Sequence, residues 1–215
     1  MNFWQYRLGN PPPQKVRRVF FAYHYKPDVQ RAQVVSKSWV TKPDRESAGF
    51  MNNLEFEKKQ RQDKELLKQF LSDAMKSSSV TAVLIGTETV YRPWVRYELV
   101  RSFQQGRGLL GIHVHNINGF DGKPVAQGPD PLENLAFAVT KGRVSWIHYT
   151  TQGWQPYTEV PTASASDIPY SLRDGDYKTF KSLFSVYWWY GDNGYVNLGS
   201  WIDNAASKQG AKARI

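Results

Sequence analysis

The chain has 215 residues, and its 28 lysines and arginines against 19 aspartates and glutamates give a formal net charge of +9. Hydrophobic residues make up 40% of the sequence and charged residues 22%, a balance typical of a folded domain and not of a disordered or fibrous protein. There is no cysteine, which excludes a disulfide scaffold, a thiol nucleophile, an iron–sulfur cluster and a cysteine zinc site. A chain of this length can bury a core without such cross-links.

The sequence has no segment typical of a membrane span or a secretion signal. No stretch reaches roughly 18 consecutive apolar residues, and the N-terminal segment MNFWQYRLGNPPPQKVRR lacks an apolar run of signal-peptide length. We therefore expect a soluble, cytoplasmic protein. The positive charge would suit nucleic acid or a small phosphorylated ligand, and charge alone does not choose between them.

The N-terminal part of the chain predicts an arm, a strand and a helix. Residues 1–15 end in three prolines and are expected to form an extended arm. The apolar run 19–23 is typical of a strand covered on both faces, with His24 marking its end. A helix is predicted over 28–40, and a loop over 41–57 follows it.

The next part continues the alternation of helices and strands. The clearest helix lies over 63–76, where apolar residues recur on one helical face. The β-branched run 79–86 predicts a central parallel strand, followed by a polar loop over 87–93. Pro93 begins another helix, and 109–115 predicts another buried strand. This order predicts an α/β fold with a doubly wound, mainly parallel sheet, and such sheets bind ligands beyond the carboxyl ends of their strands.

The last third of the chain gives weaker patterns. Residues 144–149 are compatible with an edge strand, 192–208 end in a helix, and the polar segment 158–171 is expected to be a surface connection. The aromatic stretch 188–195 predicts packing and an Asn-Gly turn. We divide the chain into an N-terminal arm (1–15), an α/β domain (16–157) and a C-terminal extension that packs on the domain and ends in a basic tail (158–215).

A tryptophan and a glutamate stand four residues apart on the helix that begins at Pro93. Trp94 and Glu98 share a helical face about 100° from the apolar stripe, which places Glu98 at the margin of the core near a strand's carboxyl end. A fixed carboxylate there could stabilise positive charge that develops on a ligand. The alternative is a solvated glutamate paired with Arg101 or Ser102.

Aromatic residues and histidines follow two of the predicted strands. Tyr23, His24 and Tyr25 could stack on a base and contact a ribose, but aromatic residues also pack at strand ends without any ligand. His113 and His115 alternate on another strand, so a three-histidine metal site with His24 is geometrically conceivable. Because the sequence lacks a helical histidine pair or an acidic ligand at a recognisable spacing, we predict no metal.

Several familiar nucleotide and hydrolase motifs are missing from the sequence. It contains neither a GxGxxG turn after the first strand, nor a GxxxxGK[ST] loop, nor a GxSxG elbow. The terminal KQGAKARI is expected to be a solvated tail, since the sequence does not establish the continuous basic face that nucleic-acid binding needs. We therefore do not expect nucleic acid as a partner.

Several segments, taken in order, resemble the TIR-like domains of the DUF1863 group, which includes proteins of Thoeris antiphage defence. The matching segments are VFFAYHY (19–25), VVSKSWV (34–40), AGF (48–50), SVTAVLIGTET (79–89), RPWVRYEL (92–99), GLLGIHVHNI (108–117), GPDP (128–131) and YWWYGDNGYVNLGSWI (187–202). The resemblance implies a flavodoxin-like TIR fold. In enzymatic members it also implies cleavage of the glycosidic bond between nicotinamide and ribose in NAD⁺.

The resemblance also implies site residues. The glutamate of the W-x-x-x-E motif, which cleaves NAD⁺, corresponds to Glu98. Residues expected to line the NAD⁺ site are Tyr23, His24, Tyr25, Gly49, Phe50 and Trp94. The chain departs from the pattern at Ala22, where relatives often carry serine, and at Val95, where animal TIR domains commonly carry cysteine.

The function implied by this resemblance is that of an NAD⁺ nucleosidase or cyclase of a Thoeris-type antiphage system. NAD⁺ is then a substrate, and no cofactor is expected. Self-assembly is expected, together with coupling to an effector protein through a soluble ADP-ribose-derived nucleotide and no contact with a membrane. A cyclic ADP-ribose isomer, an amino-acid conjugate and ADP-ribose all stay open as products. The alternative is a non-catalytic TIR-like adaptor.

Overall fold

A computed structural model describes residues 17–41, 45–47 and 63–207. The strands are β1 (Arg17–Tyr23), β2 (Arg45–Ser47), β3 (Val80–Ile85), β4 (Gly108–His113), β5 (Leu135–Thr140), β6 (Arg143–Thr150), β7 (Gly153–Pro156), β8 (Ala163–Ser164), β9 (Tyr177–Thr179) and β10 (Val186–Trp188). The helices are α1 (Tyr25–Val40), α2 (Lys64–Met75), α3 (Pro93–Gln104) and α4 (Gly194–Ser207). Short 3₁₀ turns lie at Thr89–Tyr91, Ala165–Asp167 and Phe180–Ser182.

A parallel sheet with the order β10-β4-β3-β1-β2 forms the centre of the fold. All of its neighbouring strands run parallel. Taking β10 as the fifth strand, this is the 2-1-3-4-5 order of flavodoxin-like sheets, so the predicted doubly wound fold is confirmed. The direction of winding reverses between β1 and β3. In such sheets, the crevice beyond the carboxyl ends of the strands at this switch point is where ligands bind.

One face of the parallel sheet is covered by α2 and α3, and we call it the α3 face. Alternate residues of the strands point to it, among them Ala22 of β1 and Val83 of β3. They belong to one buried cluster with Leu67 and Leu71 of α2 and Leu99 of α3. The regular apolar spacing that predicted these two helices is therefore explained by the sheet they cover.

The opposite face, which we call the α1 face, is covered by α1 and α4. Phe21 of β1 is buried there in a cluster with Val35 of α1 and Ile202 of α4. Helix α1 begins at Tyr25, three residues before the predicted start. Its first turn tolerates Pro27, because backbone N–H groups in the first turn of a helix have no partner within the helix. The prediction of a loop over 41–57 was wrong at residues 45–47, because these residues form β2. The helices therefore flank the sheet on both sides, as the sequence predicted.

Strands β5 to β9 form an antiparallel sheet with the order β7-β6-β5-β9, in which β8 also pairs with β6. A two-residue turn joins β5 to β6, with positive φ at Lys141 (50°) and Gly142 (70°), as a hairpin of this length requires. Phe137 and Trp146 of this sheet pack in the cluster of the α3 face, where their rings contact Phe103. The antiparallel sheet therefore extends the cover of the α3 face beyond α2 and α3.

The residues from 158 onwards contribute to both sheets. Strands β8 and β9 pair within the antiparallel sheet, whereas β10 pairs with β4 and α4 packs on the α1 face. The segment 158–171 is more than the surface connection we expected, because Val160 and Ile168 are buried in the core. A domain boundary between residues 157 and 158 stays a prediction, and the N-terminal arm and basic tail lie outside the described residues. Among the described residues, no helix is long and apolar enough to cross a lipid bilayer.

Candidate active site

Glu98 lies on the side of α3 that faces the parallel sheet. One helical turn further on, the hydroxyl of Ser102 hydrogen-bonds the hydroxyl of Thr81 in β3 at 2.7 Å, which fixes the helix against the strand. Because α3 runs antiparallel to β3 and rises about 1.5 Å per residue, Glu98 lies about 6 Å nearer the carboxyl edge of the sheet than Ser102. On the same face of the sheet, Val83 and its register partner Ala22 lie two residues nearer that edge than Thr81.

The side chain of Glu98 is buried, with 1% of its surface exposed. Its Oε1 atom has no hydrogen-bond partner among the described residues. Burial raises the pKa of the Glu98 carboxyl well above its ordinary value, because an ionised carboxylate loses its hydration in apolar surroundings. The alternative of a solvated glutamate is therefore wrong, and Arg101 instead hydrogen-bonds Gln104.

Tyr23 enters the same region from the end of β1. It is 8% exposed and packs in the cluster of the α1 face, and its ring lies 6.3 Å from that of Tyr25. Burial raises the pKa of the Tyr23 phenol, and the neighbouring Tyr25 and Glu98 raise it further, so the phenol lies within electrostatic reach of the carboxyl group. Truncating Tyr23 to alanine would therefore disturb the core as well as the site.

A charged rim lies over the ends of β1 and β3. Nδ1 of His24 is 3.7 Å from Oε2 of Glu88, and Glu88 also pairs with Arg92, the residue that precedes α3. Burial is the main cause that lowers the pKa of His24, and Arg92 lowers it further against the opposing effect of Glu88. His24, Glu88 and Arg92 therefore bring both signs of charge to the switch point.

Asp28 is a second buried acid at the switch point, and the sequence predicted it only as a helix start. It lies in the first turn of α1, is 1% exposed, and its Oδ2 has no hydrogen-bond partner among the described residues. Burial raises its pKa to about 6, although Arg31 lies 3.7 Å away and opposes the shift. A Cβ added to Gly86 would lie 2.1 Å from Oδ2 of Asp28, which is too close for any real contact. The Asp28 carboxyl group therefore fits here because residue 86 has no side chain. Gly86, which directly follows β3, is the one signal in the sequence that points to this contact.

The other predicted site residues are less tightly associated with Glu98. The ring of Trp94 is half-buried, packs on the core of the α3 face and meets Tyr97 edge-on at 6.0 Å. Its place in a substrate pocket stays a prediction. Gly49 and Phe50 lie outside the described residues.

The three histidines considered for metal binding do not form one cluster. His113 and His115 are adjacent, with ring centroids 5.8 Å apart, whereas His24 follows β1, which is separated from β4 by β3. Within residues 17–41, 45–47 and 63–207, no group of three histidine, cysteine, aspartate or glutamate side chains is arranged to hold a metal ion.

A 2-1-3-4-5 parallel sheet with a buried glutamate beside its switch point is the arrangement expected of a TIR-like protein. Residues 20–118 match the family described as Thoeris protein ThsB, TIR-like domain. A Bacillus cereus (strain MSX-D12) protein named "Putative cyclic ADP-D-ribose synthase ThsB1" is 32% identical over 191 residues, which cover 87% of this chain and 99% of that protein. The chain belongs to the ThsB family of TIR-like proteins, and the resemblance predicted from its sequence is confirmed.

Proposed function

We propose that this protein processes NAD⁺ in a Thoeris-type antiphage defence system. It cleaves the glycosidic bond between nicotinamide and ribose and makes an ADP-ribose-derived signalling nucleotide. The name of the Bacillus cereus relative, a cyclic ADP-D-ribose synthase, supports this kind of reaction. The structural observation that carries the proposal is the buried carboxyl group of Glu98, whose Oε1 has no hydrogen-bond partner among the described residues, near the carboxyl edge of the sheet.

The chemistry of this bond requires a carboxylate and not a strong acid. Nicotinamide leaves as a neutral molecule from a cationic ring, so positive charge moves onto the ribose as an oxocarbenium ion and no proton must be supplied. The ionised form of Glu98 would stabilise that charge at close range in water-poor surroundings. The ADP-ribosyl group then reacts with a nucleophile, whose identity decides the product.

Substrate binding and the ionisation of Glu98 are coupled in this mechanism. Without substrate, burial favours the protonated carboxyl group, since it raises the pKa. A cationic nicotinamide ring beside it favours the carboxylate, because an opposite charge lowers the pKa of an acid. NAD⁺ binding should therefore release a proton from Glu98 and leave the carboxylate facing the ribose.

Access to Glu98 requires a rearrangement, because only 1% of the residue is exposed. Groups that cover it must move before a ribose can reach the carboxyl group. In our proposal this happens when copies of the protein assemble, and the nucleotide product then signals to an effector protein in the cytoplasm.

The substitution Glu98→Gln tests the proposal, since it removes the charge and keeps the shape of the side chain. We expect nicotinamide release to fall by about 100-fold or more, the effect of deleting one preorganised electrostatic contact. The variant should remain folded, because a neutral amide replaces a carboxyl group that burial already disfavours in its charged form. Glu65→Gln, on an α2 residue whose side chain is 75% exposed, is the matched control and should keep parental activity.

The measurement combines two assays so that a required trigger cannot hide the activity. Nicotinamide release from NAD⁺ is followed with purified protein, and nucleotides from phage-challenged cells expressing each variant are analysed by mass spectrometry. In an assay in which the parent cleaves NAD⁺, cleavage by Glu98→Gln at the parental rate would show that Glu98 is not the catalytic residue.

A further inference from the structure

A pair of stacked aromatic rings lies at the same edge of the sheet as Glu98. His113 ends β4 and Trp188 ends β10, and the two residues are partners in the strand register. Their ring centroids are 5.1 Å apart with 19° between the planes. His113 is 3% exposed and Trp188 is 39% exposed. The indole therefore rests on the imidazole and remains accessible to solvent; we call this pair the aromatic platform.

The aromatic platform is on the same face of the sheet as Glu98. Val186 packs against the cluster of the α3 face, and Tyr187 stacks on Trp201 of α4 on the opposite side. Alternation along β10 returns Trp188 to the α3 face. His113 is also paired with Ile85 of β3, which is buried in the α3-face cluster. The platform and Glu98 therefore lie on the same face of the sheet, towards its carboxyl edge.

Hydrogen bonds hold the exposed tryptophan in place. The indole Nε1 donates to Oε1 of Gln127 at 3.3 Å, and the backbone N–H of Trp188 donates to Oδ2 of Asp192 at 2.7 Å. Beside His113, Nζ of Lys181 donates to the nearly buried Asp130 at 2.7 Å. An aromatic surface that is already fixed loses little conformational entropy when a planar ligand stacks on it.

We propose that the aromatic platform binds the adenine ring of NAD⁺, an inference that rests on the proposed function. In this proposal, a dinucleotide whose nicotinamide ribose lies at Glu98 extends along the carboxyl edge. Neighbouring strands are about 4.8 Å apart, so Trp188 lies two strand spacings, about 10 Å, from β3 across the sheet. Two ribose rings and a diphosphate can bridge that gap. A purine stacked on an exposed aromatic ring is a common mode of nucleotide recognition.

The pH behaviour of the surrounding groups is compatible with stacking. Burial is the main cause that lowers the pKa of His113 to about 4, with His115 and Lys181 lowering it and Asp130 raising it. The imidazole under the indole is therefore neutral near neutral pH. Because both rings of the platform are uncharged, adenine would be held by stacking and apolar contact. The strength of these interactions changes little with pH.

Three variants separate adenine binding from general damage. Trp188→Ala removes the platform, and Trp188→Phe keeps an aromatic ring. Trp154→Ala, which removes a tryptophan of equal exposure (39%) from the antiparallel sheet, is the matched control. Calorimetric titration of each with AMP and, separately, with nicotinamide mononucleotide measures the two halves of the dinucleotide.

We expect Trp188→Ala to weaken AMP binding by about tenfold, within the range for the loss of one base–aromatic stack. Binding of nicotinamide mononucleotide should stay within about twofold of the parent, and Trp188→Phe and Trp154→Ala should bind AMP nearly as the parent does. For NAD⁺ cleavage, Trp188→Ala should raise KM more than it lowers kcat, because stacking acts on substrate and transition state alike. Any of three results would overturn the inference. Trp188→Ala could bind AMP as tightly as the parent, it could lose affinity for both mononucleotides equally, or the parent could fail to bind AMP.

A failure of the platform can be distinguished from a failure of the proposed function, because AMP binding requires no catalysis. If AMP binding depends on Trp188 but NAD⁺ is not cleaved in either assay, the platform is a nucleotide site and the proposed reaction is wrong. Cleavage that does not depend on Glu98 would show only that Glu98 is not the catalytic residue. If cleavage depends on Glu98 but AMP binding is indifferent to Trp188, the reaction stands and the platform is wrong.

Discussion

Asp28 offers a quantitative test of the electrostatics at the switch point. Its carboxyl group is 1% exposed, and its pKa is raised by burial from 3.8 to about 6. The folded protein therefore holds a proton that the unfolded chain releases between these two pH values. The stability contributed by the protonated group is fully present below about pH 3.8 and is lost as the pH rises to about 6.

The size of the effect follows from the two pKa values. Each pKa unit corresponds to about 1.4 kcal/mol, so the shift costs about 3 kcal/mol of unfolding free energy at about pH 7.5. At about pH 5, which lies between the two values, the cost is about 1.5 kcal/mol. Asp28→Asn places a neutral side chain of the same shape in the site. We therefore expect this variant to exceed the parent in unfolding free energy by these amounts, with the difference vanishing near pH 3.

Equilibrium unfolding in urea, at several pH values, measures the difference directly. Asp73→Asn is the control, since the side chain of Asp73 on α2 is 54% exposed and its replacement should change the stability by no more than about 0.5 kcal/mol at any pH. Equal or lower stability of Asp28→Asn at about pH 7.5 would refute the reasoning. That result would mean that the ion pair with Arg31, at 3.7 Å, and the hydrogen bond with Thr89 together outweigh the cost of burying the charge.

Two further predictions concern the same site. Gly86→Ala should destabilise the fold by about 1–3 kcal/mol in thermal unfolding, because the new Cβ would lie 2.1 Å from Oδ2 of Asp28. The cost should shrink in an Asp28→Ala background, and strictly additive costs would contradict the proposed contact. If assembly completes the site, the NAD⁺ cleavage per molecule should rise with protein concentration over the range in which sedimentation detects self-association. Full activity in a dilute, monomeric sample would argue against assembly.

Local patterns in the sequence were sufficient for β1, β3 and β4 of the parallel sheet and for the helices that cover it, but not for β2 and β10. The runs 19–23, 63–76 and 79–86 predicted β1, α2 and β3 to within a residue or two at each end. These predictions succeeded because the apolar spacing within one element reports how many of its faces are covered. The spacing of Trp94 and Glu98, with the family resemblance, was likewise enough to nominate the candidate catalytic glutamate before its surroundings were known.

Only the tertiary structure decided the antiparallel sheet and the surroundings of each acid. The pairing of Ala136 with Thr179 joins β5 to β9 across residues that carry β6, β7 and β8, and no local pattern encodes such a partner. The same holds for Asp28, whose buried carboxyl group lies against Gly86 at the end of another strand. A sequence shows which residues carry charge, but the pKa of a buried acid is set by the elements that exclude water around it. For Glu98 and Asp28 those elements come from distant parts of the chain, so the raised pKa of each is a property of the folded protein alone.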